Sequence, residues 1–118
     1  MIRGVGVDIV DVARFERALQ RTPRLAGRLF ASAELGRSSA SLGARFAAKE
    51  ALIKAIGDSA GLGWQDMVIE SDEHGNPSFV IAGRIAAVLA ERGIDQVHLS
   101  MSHDAGLACA FVVAEATG

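Results

Sequence analysis

The chain is short of the residues that build most metal and redox sites: in 118 residues it has one cysteine and three histidines. A single cysteine, Cys109, excludes an intrachain disulfide and fits a reducing compartment, where it is most simply read as a small core residue. With so few sulfur and imidazole ligands, a structural zinc site is excluded. No apolar run is long enough to span a bilayer and no signal peptide is visible, so the expectation is a soluble, cytoplasmic protein with no membrane partner. The net charge of −2 gives no global reason to bind nucleic acid or an anionic surface. Repeats, low-complexity tracts and linkers are absent, and the length suits one domain over residues 1–118.

Apolar residues are plentiful by contrast, at 50 % of the chain, which is high for a small monomer. Part of the surface is therefore expected to be covered by other subunits. Charge is also unevenly spread. Residues 1–30 hold six arginines against three acids, a balance of +3, which leaves −5 for the remainder.

Two carboxylates lie where carboxylates are costly. Asp8 ends the apolar run from Ile2 to Val10, and Glu50 lies inside the alanine-rich segment 44–55. An ionised carboxylate away from water needs a paired cation or a metal. The run from Ile2 to Val10 alternates as a strand, with Arg3, Val5, Val7 and Ile9 on one face and Gly4, Gly6 and Asp8 on the other. Two absent side chains beside Asp8 leave room for a ligand or an approaching backbone.

From Asp11 to Arg21 the period is helical: Val12, Phe15 and Leu19 form an apolar stripe opposite Arg14, Arg17 and Arg21. Pro23 breaks the helix, and Arg24 and Arg28 extend the basic character. A run this rich in arginine suits an acidic protein partner. A short helix is expected near Ser32. A long one capped by Ser41 should run to Ile56, ended by Gly57 and apolar nearly all round, hence central.

On that helix Glu50 and Lys54 share one face and Arg45 and Lys49 another. Glu50 with Lys54 is either an intrahelical ion pair or part of a site. Residues 57–63 form a glycine-rich loop, and strands are expected from Met67 to Glu70 and Pro77 to Ile81. A helix from Gly83 to Arg92 follows, then a hairpin of Val97–His103 and Leu107–Val113 with His103 and Asp104 at its tip. The fold class is α+β. Two carboxylates with small neighbours suit Mg²⁺, which completes its octahedron with water and phosphate oxygens, and nearby cations would balance further phosphate charge. Ser102, His103 and Asp104 make a poor hydrolase triad, because neighbouring strand residues point to opposite faces.

Three segments then match a known family in order. Gly4-Val5-Gly6-Val7-Asp8-Ile9-Val10, followed by Arg14-Phe15, resembles the GxGxDxx segment of the bacterial holo-acyl-carrier-protein synthases, the small 4′-phosphopantetheinyl transferases. Arg45-Phe46-Ala47-Ala48-Lys49-Glu50-Ala51, with Lys54-Ala55, is similar to their R(F/W)AxKEAxxKA helix, and Ser102-His103 with Ala108 and Ala110 to their SHxxxxAxA hairpin. The chain departs from the family at Phe30-Ala31-Ser32-Ala33-Glu34, where threonine often follows the phenylalanine, and Ser32 is expected to cap in its place. The connection from Glu34 to Arg45 is also shorter than in many relatives.

The resemblance implies a small antiparallel sheet packed on a long central helix. It also implies Mg²⁺-dependent transfer of 4′-phosphopantetheine from coenzyme A to a serine of apo-acyl carrier protein, releasing adenosine 3′,5′-bisphosphate and supporting fatty acid biosynthesis. Asp8 and Glu50 would be the metal ligands. Catalysis would involve Asp8, Glu50 and Lys54, with Asp104 a candidate base on proximity beside a water held by the metal. Arg45, Lys49, Lys54, Ser102 and His103 would bind coenzyme A. Arg14, Arg17, Arg21, Arg24 and Arg28 would dock the acidic carrier. A homotrimer with sites between protomers is implied as well. Two other readings are a non-catalytic carrier-binding module and a Mg²⁺-dependent phosphoesterase acting on coenzyme A.

Overall fold

The computed structural model describes residues 1–118. Strand β1 (Ile2–Asp11) leads into helix α1 (Val12–Arg21), a short helix α2 (Leu25–Leu29) and the long helix α3 (Ser39–Ile56). A small hairpin of β2 (Ile69–Ser71) and β3 (Pro77–Phe79) precedes helix α4 (Gly83–Glu91) and the terminal hairpin β4 (Gln96–Asp104) and β5 (Leu107–Glu115). The main sheet is antiparallel in the order β1-β5-β4, and α3 lies across one face of it. The small antiparallel sheet on a long central helix is thus as expected. No helix is long and apolar enough to cross a membrane.

Local chemistry sets the element ends. Asp11 caps α1 by accepting a 2.9 Å hydrogen bond from the Arg14 amide. Helix α3 starts earlier than expected, with Ser38 rather than Ser41 as its cap. The Ser38 hydroxyl oxygen accepts from the Ser41 amide at 3.2 Å, so the serine run 38–41 supplied the cap from its first member. Gly57 ends α3 in a left-handed conformation, φ 101°, and donates its amide to Ile53 O. The helix expected near Ser32 is only a 3₁₀ turn, Ser32–Glu34, and Ser32 does not cap it; Glu34 reaches back to accept from the Ala31 amide.

The core runs along α3. Ala47, Ala48, Ala51 and Leu52 are fully buried, facing Ala108, Ala110, Val112 and Ala114 of β5. Against β1 the contact is closer still. An added Cβ on Gly4 would lie 1.9 Å from the Ala55 carbonyl oxygen, and one on Gly6 1.9 Å from that of Ala51. The face of β1 turned inward is therefore the glycine face. Its outward face carries Val5, Val7 and Ile9, which are 50–64 % exposed. Beside them on β5 stand Leu107 and Phe111, also exposed, with Phe111 opposite Val7. Cys109 is half-buried opposite Ile9 on this outer face rather than in the core.

Candidate active site

Because β1 seats its glycines on α3, Asp8 at the end of that face meets the middle of the helix. Asp8, Glu50 and Lys54 line one cleft of about 430 Å³ together with Asp11, Arg14, Phe15 and Phe46. The Lys54 ammonium donates to Asp8 Oδ1 at 3.1 Å and to the Val7 carbonyl at 3.0 Å. Lys54 is therefore committed to Asp8 across the interface of strand and helix, and the alternative of an ordinary pair with Glu50 falls away. Burial pushes the Glu50 carboxyl above its ordinary pKa, the Asp8 charge adds to this, and Lys54 partly opposes it. Of the three carboxylates that line the cleft, Asp11 is taken up by the Arg14 amide, and the one lysine is paired to Asp8 and not to Glu50. A divalent cation would relieve that imbalance.

The donor set fits Mg²⁺ on the same grounds. No third histidine, cysteine or acid stands close enough to complete an all-protein cage. Mg²⁺ prefers one or two protein carboxylates and leaves its other positions to water and phosphate. Asp8 and Glu50 are the residues that would hold it.

The raised pKa of Glu50 has a measurable consequence for stability. A folded carboxyl with a raised pKa costs stability once the pH exceeds the unfolded pKa, and the cost reaches its full value above the folded one. Glu50→Gln is therefore expected to raise the melting temperature of EDTA-treated protein by a few degrees at neutral pH. The difference should close as the pH falls toward about 4, where both forms of the wild-type chain become protonated. Added Mg²⁺ should then raise the melting temperature of the wild-type protein and not of the variant. Equal melting curves at neutral pH would show that neither burial nor Asp8 disfavours the charged Glu50.

The other charged face of α3 points elsewhere. Lys49 is fully buried, and its ammonium donates to Leu29 O at 2.7 Å, Glu34 Oε1 at 2.7 Å and Trp64 O at 3.1 Å. Those three acceptors use all three of its protons. Lys49 is thus corrected from a coenzyme A contact to a structural cation, although burial pushes its pKa down against the pull of Glu34. Glu34 is equally enclosed and also accepts from the Ala31 amide at 3.1 Å and the Ile69 amide at 3.2 Å.

Arg45 is buried beside this pair. Its Nη1 donates to Ser41 Oγ at 2.8 Å, and its Nε stands 4.0 Å from Glu34 Oε2. Its Nε and Nη2 are buried without a hydrogen-bond partner. Burial lowers the Arg45 pKa, Arg37 adds to the effect, and Glu34 opposes it.

The hairpin tip stands apart from the two carboxylates. His103 and Asp104 line a separate recess with Val12 and Ala40, at the start of α3, and neither borders the Asp8–Glu50 cleft. Asp104 is accordingly not positioned as a base for that cleft within one protomer. Ser102 lies opposite Cys109, on the outer face of the sheet. Arg14 lines the cleft, whereas Arg17, Arg21, Arg24 and Arg28 extend from it as an exposed basic surface on and around α1 and α2.

Sequence reasoning did not single out Glu34 as a buried anchor. Its signal was present in the Phe30…Glu34 spacing, but a short helix there would have left it on a solvated turn.

A model of the 4′-phosphopantetheinyl transferase superfamily matches residues 4–112, which takes in Asp8, Glu50 and Lys54. The chain belongs to that superfamily. Within it, the chain is 64 % identical over 115 residues to the holo-[acyl-carrier-protein] synthase of Clavibacter michiganensis, covering 98 % of this chain and 97 % of the relative. The crystal structure of the synthase from Neisseria meningitidis superposes with a TM-score of 0.88 at 37 % identity, over 98 % and 99 % of the two chains. That from Helicobacter pylori, solved in complex with coenzyme A, superposes with a TM-score of 0.84 at 30 % identity, over 94 % and 99 %. The chain is thus a phosphopantetheinyl transferase of the holo-acyl-carrier-protein synthase family.

Proposed function

We propose that this transferase, acting as one domain over residues 1–118, moves 4′-phosphopantetheine from coenzyme A to a serine of apo-acyl carrier protein in a Mg²⁺-dependent reaction. The bond formed joins the serine oxygen to the β-phosphorus, and the pyrophosphate P–O bond breaks. Adenosine 3′,5′-bisphosphate leaves, and the serine proton passes to solvent or a base. The observation that carries this reading is the meeting of Asp8, Glu50 and Lys54 in one cleft whose rim continues into the arginine surface of α1.

In this reading Asp8 and Glu50 hold the cation, which when bound neutralises and polarises the pyrophosphate. Lys54, already anchored on Val7 O and Asp8, presents its remaining proton to a phosphate oxygen. Arg45, buried beside Glu34 with Nε and Nη2 unpartnered, does not border the cleft, and its assignment to coenzyme A rests on the resemblance alone. Fatty acid biosynthesis in the cytoplasm is the setting in which this activity would be used, and the lone free Cys109 accords with a reducing compartment.

The direct test is the intact mass of an apo-acyl carrier protein after incubation with this protein, coenzyme A and Mg²⁺. A gain of one phosphopantetheine, lost with EDTA, supports the transferase reading. Release of adenosine 3′,5′-bisphosphate without a carrier would favour a phosphoesterase, and a bound but unmodified carrier would favour a binding module.

The exposed arginines are assigned to carrier docking. Arg21→Glu is expected to raise KM for the carrier about tenfold with kcat and coenzyme A binding little changed, and added salt should shrink the difference. An unchanged carrier KM would remove Arg21 from the docking surface.

The apolar outer face of the sheet, with Val5, Val7, Ile9 and Phe111, supports assembly as a homotrimer. In a trimer the hairpin tip, with Ser102, His103 and Asp104, would complete the cleft of a neighbour. Light scattering should give three times the chain mass, and Val7→Asp should give a monomer without activity. Mixing Glu50→Gln with His103→Ala chains should restore part of the activity lost by each, because some mixed cleft then holds both native residues. Failure to complement in proven mixed trimers would place the whole site in one protomer.

A further inference from the structure

The small residues of α3 say little about its position along its own axis. Toward β1 the helix presents Gly43, Ala47, Ala51 and Ala55, one small residue per turn, and the seat on β1 is Gly4 and Gly6. Such a row fits such a seat almost as well after a slide of one turn, about 5.4 Å. Apolar packing is non-directional and resists the slide only through size, as where Leu52 would enter the place of Ala48. After that slide one of Glu50 and Lys54 would take the other's place beside Asp8, and the two would no longer stand there together.

We propose that Glu34 and Lys49 are positioning residues whose buried ion pair selects the register of α3 and thereby holds Glu50 and Lys54 against Asp8. Glu34 is a post fixed independently of α3, since its carboxylate is held by the Ala31 and Ile69 amides. Lys49 is tied to that post and to two carbonyls from different segments, Leu29 O and Trp64 O. A slide in one direction brings Ile53 to the place of Lys49 and moves the Lys49 ammonium to the place of Arg45, whose Nε stands 4.0 Å from Glu34 Oε2, beyond hydrogen-bond reach. A slide in the other brings Arg45 there, whose planar guanidinium does not match three acceptors ranged around a compact ammonium. It also carries the Lys49 ammonium to where Ile53 packs. Either misplacement breaks the three hydrogen bonds that satisfy the buried ammonium and the one it gives to Glu34, whereas the native register satisfies both groups. Buried ion pairs are often replaceable as stabilisers, and fixing register is their best-attested use.

The inference rests on the transferase reading for what the register serves, but the register is observable without catalysis. Removing one partner alone would strand a buried charge, so the decisive variant is the double Glu34→Met/Lys49→Met, compared with Glu34→Gln, which keeps acceptors for the two amides. In alanine-methyl-labelled protein the expected contacts are those of the Gly4 and Gly6 α-protons with Ala55 and Ala51. The double variant should fold and show a second set, with Gly6 against Ala47 and Gly4 against Ala51. Its kcat should fall about a hundredfold while KM for coenzyme A changes much less. If the double variant does not fold, the same second set in Glu34→Gln supports the proposal. A folded variant with only the native contacts overturns it, as does failure of both variants to fold, which would make the pair a requirement of the fold itself. A wild-type protein without transfer activity would sink the transferase reading and leave the contact comparison to decide the register.

Discussion

Glu50→Ala is expected to lower kcat/KM for phosphopantetheine transfer by about a thousandfold or more, with the protein folded and its melting temperature in EDTA no lower than that of the wild type. The two halves of this expectation follow from one geometry. Glu50 shares a cleft with Asp8, and burial together with the Asp8 charge raises its pKa. Without a cation it is a source of repulsion, so its removal does not weaken the fold. With one, it is half of the protein's contribution to the metal, and a lone Asp8 already paired to Lys54 at 3.1 Å is a poor substitute. Several kcal/mol of charge stabilisation in the transition state correspond to a loss of about three powers of ten. The measurement is carrier modification by mass at varied Mg²⁺. A variant that retains a tenth of the wild-type rate at the same Mg²⁺ would remove Glu50 from the reacting centre. A variant that is inactive because it melts early would refute the argument from repulsion.

Asp8 and Glu50 were legible from sequence because both interrupt apolar segments, and a costly charge announces that something compensates it. The pleat of β1 was legible too, since its alternation separates Gly4, Gly6 and Asp8 from Val5, Val7 and Ile9. Which side faces the helix was not legible from hydrophobicity. The valine side is the more apolar and yet is turned outward, because only the glycine side admits the α3 backbone. Lys49 was misread for a related reason: helical periodicity pairs it with Arg45 but cannot report that Glu34, fifteen residues earlier, lies beneath both. The partner was distant in sequence and sat in a 3₁₀ turn with no periodicity of its own. The serines before α3 offered several caps of equal propensity, so the boundary slipped by the width of that run.

Gly6→Ala should be more damaging than the loss of either carboxylate. The change adds one methyl group, and in most strands it would be tolerated. At this position the new Cβ would lie 1.9 Å from the Ala51 carbonyl oxygen, 2.8 Å from its carbon and 2.9 Å from the Ala55 nitrogen. All three are backbone atoms inside a helix, so none can turn aside as the end of a flexible side chain would. Relief requires β1 and α3 to separate, which would open the fully buried layer of Ala47, Ala51, Ala108 and Ala110. Overpacking of ordinary cores costs about 1–3 kcal/mol. A clash with fixed backbone belongs at or above the upper end of that range, about 3–5 kcal/mol, a large share of the stability of a domain this size. Denaturant titration is expected to show a correspondingly lower midpoint or no folded baseline. Any folded fraction should be inactive, because separation of strand and helix also draws Asp8 away from Glu50. Gly27→Ala is the control: a Cβ there meets nothing within 4 Å, and the exposed position should leave both stability and activity near wild type. A Gly6→Ala protein as stable and active as that control would mean that the glycine seat does not set the distance between the two carboxylates.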